Sequence, residues 1–180
     1  MKKFFALVIV LCALGAGAAV FASKSAVRHE AQPRFTEVKW PFLMDQWGLG
    51  RAFQCKAEHC GTEVNVYVRA KIGFCNCSTG VADDEELERV GDVDLLGSKF
   101  SASSPGREIA VAWMKGRSRP YDVAGRPAGS TLAVAFNDRC DVIVATAAVA
   151  SGPASKHEPA VLAFLNSDTV LRWAEKTLGL

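Results

Sequence analysis

The chain has few of the residues and patterns on which most enzyme chemistry is built. It contains only 3 histidines. His29 lies in a polar N-terminal stretch, His59 sits between two cysteines, and His157 falls in a segment ahead of Pro159. Serine clusters as "SASSPG" and "ASGPAS", and no G-x-S-x-G elbow is present. That removes the strand–turn–helix nucleophile of the common hydrolases. There is no glycine-rich phosphate loop and no dinucleotide fingerprint. A catalytic set would have to be assembled from scattered residues, and no pattern points to one. An excess of charge is missing too: 21 basic residues face 19 acidic ones. Lys2 and Lys3 lie in the N-terminal segment, so the remainder is formally neutral. A nucleic-acid binder is expected to show a strong basic excess, so that class is excluded as a broad electrostatic function. The chain shows no internal repeat, no low-complexity block and no EF-hand spacing.

What is present begins at the N-terminus. "MKKFFALVIVLCALGAGAAVFASKSA" opens with Lys2 and Lys3 and continues with a nearly unbroken apolar run from Phe4 to Val20. Val20-Phe21-Ala22 places compact residues where a signal peptidase reads them, so residues 1–22 are expected to be a secretory signal peptide cleaved after Ala22. The run approaches the ~20 residues of a membrane span, but its Gly/Ala-rich second half favours cleavage. Cys12 lies inside the run after Ile9-Val10-Leu11 and lacks the small residues of a lipobox. No other segment is long and apolar enough to cross a bilayer as a helix, so no stable span is expected once the signal is removed. The expected destination is the periplasm or the exterior. Residues 23–39 are polar and unpatterned and read as a flexible leader. Residues 40–180 have the length of a single domain.

Of the 6 cysteines, five lie beyond the signal segment: Cys55, Cys60, Cys75, Cys77 and Cys140. In an oxidising compartment disulfides are the default, and an odd number leaves one thiol over. "GRAFQC" and "TEVNVYVRAKIGF" read as two strands joined by a four-residue "KAEH" loop, which sets Cys55 opposite Cys60. A second bridge would join Cys75 or Cys77 to Cys140 across more than sixty residues, contributing about 2–4 kcal/mol. Cys75 and Cys77 are expected at the end of a strand, on one face. There, a bond between them would span roughly 6.5 Å, near the outer limit for a disulfide.

Strand alternation is clear in "TEVNVYVRAKIGF": Val64, Val66 and Val68 share one face, and Asn65, Tyr67 and Arg69 share a solvated one. In "WPFLMDQWGLG", Phe42, Leu43, Met44 and Trp47 are expected to be buried, with Gly48 and Gly50 at a turn. "ADDEELERVG" predicts a short helix capped by Asp83 or Asp84 and ended by Gly91. "DVDLLGSKF" reads as a weak strand. "REIAVAWM" reads as a strand with Ile109, Val111 and Trp113 on one side, and "KGRSRPYDVAGRPAGS" as a long loop. "TLAVAF", "NDR" and "CDVIVATAAVAS" form a hairpin whose second strand is apolar on both faces and therefore central. Pro159 suits the start of a helix, and Ser167 an N-cap for a second one closed by Gly179. The expected fold is α+β: an antiparallel sheet of about five or six strands, C-terminal helices packed on one face, and disulfide bonds.

Three groups carry candidate chemistry. Cys55, His59, Cys60, Cys75 and Cys77 offer thiolate and imidazole ligands for copper or zinc, although the spacing departs from a zinc knuckle. The same cysteines could form a redox pair. Lys115, Arg117 and Arg119, with Arg126 beyond, point one way in an extended segment and could hold an anion. Asp83, Asp84, Glu85, Glu86 and Glu88 form an acidic group that suits a capped helix end. The expected function is a small exported, disulfide-stabilised binding or accessory protein of the cell envelope, without catalysis or cofactor, acting on an envelope protein or a small ligand. The alternative is a thiol-based metal-binding or redox accessory protein.

Overall fold

The computed structural model describes residues 33–125 and 129–180. The expected signal peptide, Cys12, most of the leader and Arg126 lie outside the described residues.

The strands are β1 (Phe35–Val38), β2 (Arg51–Cys55), β3 (Val64–Lys71), β4 (Phe100–Ala102), β5 (Arg107–Val111), β6 (Met114–Val123), β7 (Ser130–Asp138) and β8 (Asp141–Val149). They form one antiparallel sheet of eight strands in the order β1-β2-β3-β8-β7-β6, with β4 and β5 both pairing along the outer side of β6. The α-helices among the described residues are α1 (Ala57–Cys60), α2 (Asp84–Val90), α3 (Ala154–Leu165) and α4 (Asp168–Leu178), with a 3-10 turn at Val93–Leu95. None of them is long and apolar enough to cross a membrane.

The fold is α+β as expected, but the sheet is larger than the five or six strands read from the sequence. Part of the excess comes from the segment expected as a loop, which is the ten-residue strand β6. Gly116 and Pro120 disguise it. A Cβ at Gly116 would meet the Ala135 carbonyl oxygen at 2.0 Å, so the close approach of β7 requires glycine there. The Pro120 carbonyl accepts from the Ser103 amide at 2.9 Å, on the side where β4 gives way to β5. The missing proline N–H therefore points at a break in the edge, where no ladder bond is lost. "REIAVAWM" also differs from expectation. It ends β5 at Val111, turns at Ala112 (φ 51°) and Trp113, and starts β6 at Met114. "DVDLLGSKF" supplies the 3-10 turn before β4 begins at Phe100. A further strand, β1, begins inside the stretch read as leader and pairs with β2 from Phe35 to Val38.

Strands β7 and β8 are almost wholly buried and lie in the middle of the sheet. Successive side chains point to opposite faces, and the two faces carry separate clusters. Val66, Val134 and Ile143 share one with Val161 and Leu165 of α3 and Val170 and Ala174 of α4. Ala133, Ala135, Val142 and Val144 share the other with Leu87 and Val90 of α2. Helix α3 begins at Ala154, earlier than Pro159 suggested. Its Glu158, 8% exposed, accepts from Ser118 of β6 and from Arg107 of β5 (2.8 Å), which holds the first turns down despite the proline inside the helix.

Candidate functional site

The site forms on the second face of β3. Val64, Val66 and Val68 go to the first cluster, so Arg69 and Lys71 must point the other way. Alternation alone places Arg69 on a solvated face. The structure buries both cations to 4% exposure, along with Asp92. Arg69 Nε and Nη2 donate to Asp92 Oδ2 and Oδ1 at 2.5 and 2.7 Å, a two-point carboxylate contact. Lys71 Nζ lies 2.7 Å from Asp92 Oδ1 and donates to the carbonyls of Val90 (2.7 Å) and Gly91 (3.3 Å), which end α2. Lysine at the last carbonyls of a helix satisfies acceptors that have no partner inside it.

Arg69 Nη1 reaches the remaining neighbour, Asp45, at 2.8 and 2.7 Å to its two oxygens. Asp45 belongs to a strap, residues 41–49, that crosses this face. The Gly48 amide donates to the Asp45 carbonyl (3.0 Å), and the Trp47 amide to Asp45 Oδ1 (2.8 Å). The strap is pinned at one end where Trp40 lies edge-on to Phe42 and Tyr67 (5.3 and 6.1 Å between ring centroids). Gly50 makes this possible, since a Cβ there would come within 2.4 Å of the Trp40 ring. At the other end, Trp47 packs on Phe74 at 4.5 Å, and Lys71 Nζ sits 5.6 and 5.5 Å from these two rings. The middle is not buried as expected: Leu43 is 92% exposed and Met44 72%. An ion pair and two aromatic anchors hold the strap, so these side chains have no core to enter.

Strap, β3, α2 and the 3-10 turn enclose a cleft of about 320 Å³. Arg69, Lys71 and Asp92 form its floor, Trp47 and Phe74 one wall, and Phe100 with Tyr121 the far end. Tyr121 donates to Glu88 Oε1 at 3.3 Å; burial, then the Glu88 charge, push its phenol up to about 12. The hydrogen bonds from Arg69 hold the Asp45 carboxyl below its usual range. Burial opposes the charge of Arg69, yet the bonds to Asp92 and Asp45 raise its pKa. The arrangement is a rigid polar floor with flat apolar walls.

The residues singled out from the sequence lie elsewhere and do not converge. Cys55 is bonded to Cys60, with Cα atoms 6.0 Å apart, and Cys77 to Cys140, at 4.2 Å. Among the described residues, Cys75 is the free thiol. The "KAEH" segment is the start of helical turn α1 rather than an open loop. "GFCNC" is not a strand end: β3 stops at Lys71 and the chain turns at Gly73 (φ 67°). The bridges occupy opposite ends of β3, since Cys55 pairs with Val64 while Cys140 precedes the β8 residue that pairs with Lys71. The seven steps from Val64 to Lys71 put them about 23 Å apart. His59, beside Glu58 at 3.5 Å, stays with the first bridge. Cys55, His59, Cys60, Cys75 and Cys77 are therefore not gathered around one point, and no group of three such side chains among the described residues is placed to hold a metal ion. Cys75 Sγ donates to the Arg139 carbonyl at 3.2 Å, and burial, then Glu86 and Asp141, push its thiol up to about 11.

The basic stripe and the acidic group meet each other. Lys115, Arg117 and Arg119 lie on β6, where Lys115 is exposed. Arg117 donates to Asp84 and to the Gly106 carbonyl (3.0 Å). Arg119 donates to Glu88 (2.7 Å) and to the Ser104 carbonyl (3.0 Å). Asp83 caps α2, accepting from the Glu86 amide at 2.8 Å. The two arginines thus clamp α2, whose Glu88 lines the cleft, onto β6. The signal that could have exposed the site was the pair Arg69 and Lys71, two cations at alternate positions of a strand flanked by buried valines.

Compared with known proteins, the chain matches no protein-family model and no curated sequence.

Proposed function

We propose that the protein is an exported, disulfide-stabilised, non-catalytic binding protein of the cell envelope, and that its cleft takes a small ligand. The observation that carries this reading is the cleft itself: a concave space with a fixed ionic floor and aromatic walls, the combination that orients and buries small molecules. Its volume falls at the lower end of the usual ligand-pocket range of about 300–1,000 Å³. A holding role is supported by the way the floor is tied together: Arg69 and Lys71 are both paired with Asp92, so the polar groups facing the cleft are fixed in place. Export is supported by the N-terminal pattern and by the two disulfides, which suit an oxidising compartment.

Two experiments test the two halves. Intact mass of protein recovered from the envelope fraction should correspond to a chain beginning at Ser23 with two bridges and one thiol. A mass retaining residues 1–22 would overturn cleavage. A panel of small carboxylates, amines and neutral aromatics, followed by Trp fluorescence and two-dimensional NMR, should produce saturable shifts at Trp47 and Phe74. Trp47→Ala should abolish them. Saturable shifts confined to another surface, or none, would remove the cleft as the ligand seat.

A further inference from the structure

The charges on the cleft floor do not balance without the strap. Arg69 and Lys71 are two buried cations, and among the described residues Asp92 is the only buried anion between them. A buried net charge needs a partner. Here the partner is Asp45, whose side chain is 41% exposed and rides on the strap. The guanidinium contact is divided accordingly. Asp92 takes Nε and Nη2 and fixes the plane, while Nη1 is presented to the cleft and receives both oxygens of a surface carboxylate. The strap buries little: Leu43 and Met44 between its aromatic anchors and, at 63% exposed, Leu49 beyond them all face water. Segments with few buried apolar contacts open at low cost.

Resting on the cleft as the ligand seat, we infer that the ligand is a small carboxylate with a flat apolar body, and that Asp45 is its resident stand-in. The ligand carboxylate replaces that of Asp45 on Arg69 Nη1, and its apolar part lies against Trp47 and Phe74. No charge is added to the buried floor by the exchange, because one carboxylate replaces another. Asp45 is exposed enough to be rehydrated when displaced. The self-occupied site would keep affinity for free carboxylates low until the strap releases, since apparent affinity falls with the fraction of open sites.

Benzoate is the probe, with benzamide as its neutral isostere and benzylamine as the opposite charge. In Asp45→Asn the competitor is gone, and benzoate should bind at least about tenfold tighter than to the unaltered protein. In the unaltered protein, benzoate should shift the Trp47 backbone amide, which loses its Asp45 acceptor, and benzamide should not. That measurement decides the matter even if the variant does not fold. If benzamide or benzylamine occupies the cleft and benzoate does not, the ligand class is wrong and the cleft remains the seat. If benzoate binds equally to both proteins, Asp45 is not a stand-in. If no probe of any charge shifts the cleft residues, both the inference and the reading beneath it fall.

Discussion

Replacing Asp92 by asparagine should unfold much of what the cleft depends on. The substitution changes almost no volume. It removes the one anion that meets both Arg69 and Lys71, and it turns an amide N–H₂ towards a cation. Breaking a buried ion pair from one side costs about 3–5 kcal/mol, because the other charge stays buried and uncompensated. Here two charges are left, and the three side chains are each about 5% exposed, so water offers little relief. For a domain of this size, each kcal/mol moves the melting temperature by about 2–4 °C, so the expected fall is about 10 °C. Urea unfolding followed by Trp fluorescence measures the free energy directly, and an unchanged m-value would show that the unfolded state is the same. Asp45→Asn is the internal control. It removes a carboxylate from the same arginine at an exposed position, where the freed Nη1 faces the cleft and water can take the place of the carboxylate, and should cost only about 0–1 kcal/mol. A loss below about 1 kcal/mol for Asp92→Asn, or equal losses for the two variants, would refute the claim that Asp92 is the central anion of the floor.

The two disulfides should differ in worth. Cys77–Cys140 spans 63 residues and Cys55–Cys60 spans 5; loop entropy assigns them about 4 and about 2 kcal/mol. Urea midpoints of the paired alanine variants should keep that order, and the reverse order would show that local geometry outweighs loop length. The Cys75 thiol and Tyr121 phenol are both raised on folding, to about 11 and about 12. The unfolded chain therefore gives up these protons first, and stability should decline as pH climbs from about 9 towards 12. Unfolding at about pH 8 and about pH 10.5 should show a smaller decline in Cys75→Ala, and an identical decline would remove the thiol's part. At about pH 8 a thiol of pKa about 11 is roughly a hundredfold less ionised than one of 9. Iodoacetamide should thus label native Cys75 at least that much more slowly than the unfolded chain. Labelling at the unfolded rate would mean that the thiol is neither buried nor shifted. Glu158→Gln should cost about 1–3 kcal/mol by weakening the tie of α3 to Ser118 and Arg107. Loss of helical circular dichroism before the sheet unfolds would report that α3 frays; full cooperativity with no change in midpoint would count against the tie.

Much of the fold was readable because burial imposes a period. The valines of β3, the two-faced apolar run of β8 and the acidic start of α2 declare themselves by spacing alone. The misreadings share a physical cause. Gly116 and Pro120 look like loop residues until a neighbour is known. One is there because β7 passes too close for a side chain, and the other because the edge beside it is broken. Leu43 and Met44 look like core residues, but the strap crosses a surface that is already filled by charge. The cysteines drew attention as chemistry, yet the long bridge and the short one lie at opposite ends of β3.

The sequence by itself determined the export-like N-terminus, the α+β class, the central hairpin and an odd thiol, because each follows from composition or from a repeat of two or nearly four residues. Only the tertiary structure decided the fate of Arg69 and Lys71. Alternation tells which face a side chain takes, and it is silent on whether that face meets water or another layer. Asp45, Asp92 and the end of α2 lie 24, 23 and about 20 residues from their partners on β3. Their meeting depends on how the strap and α2 are laid across the sheet, which no local pattern records.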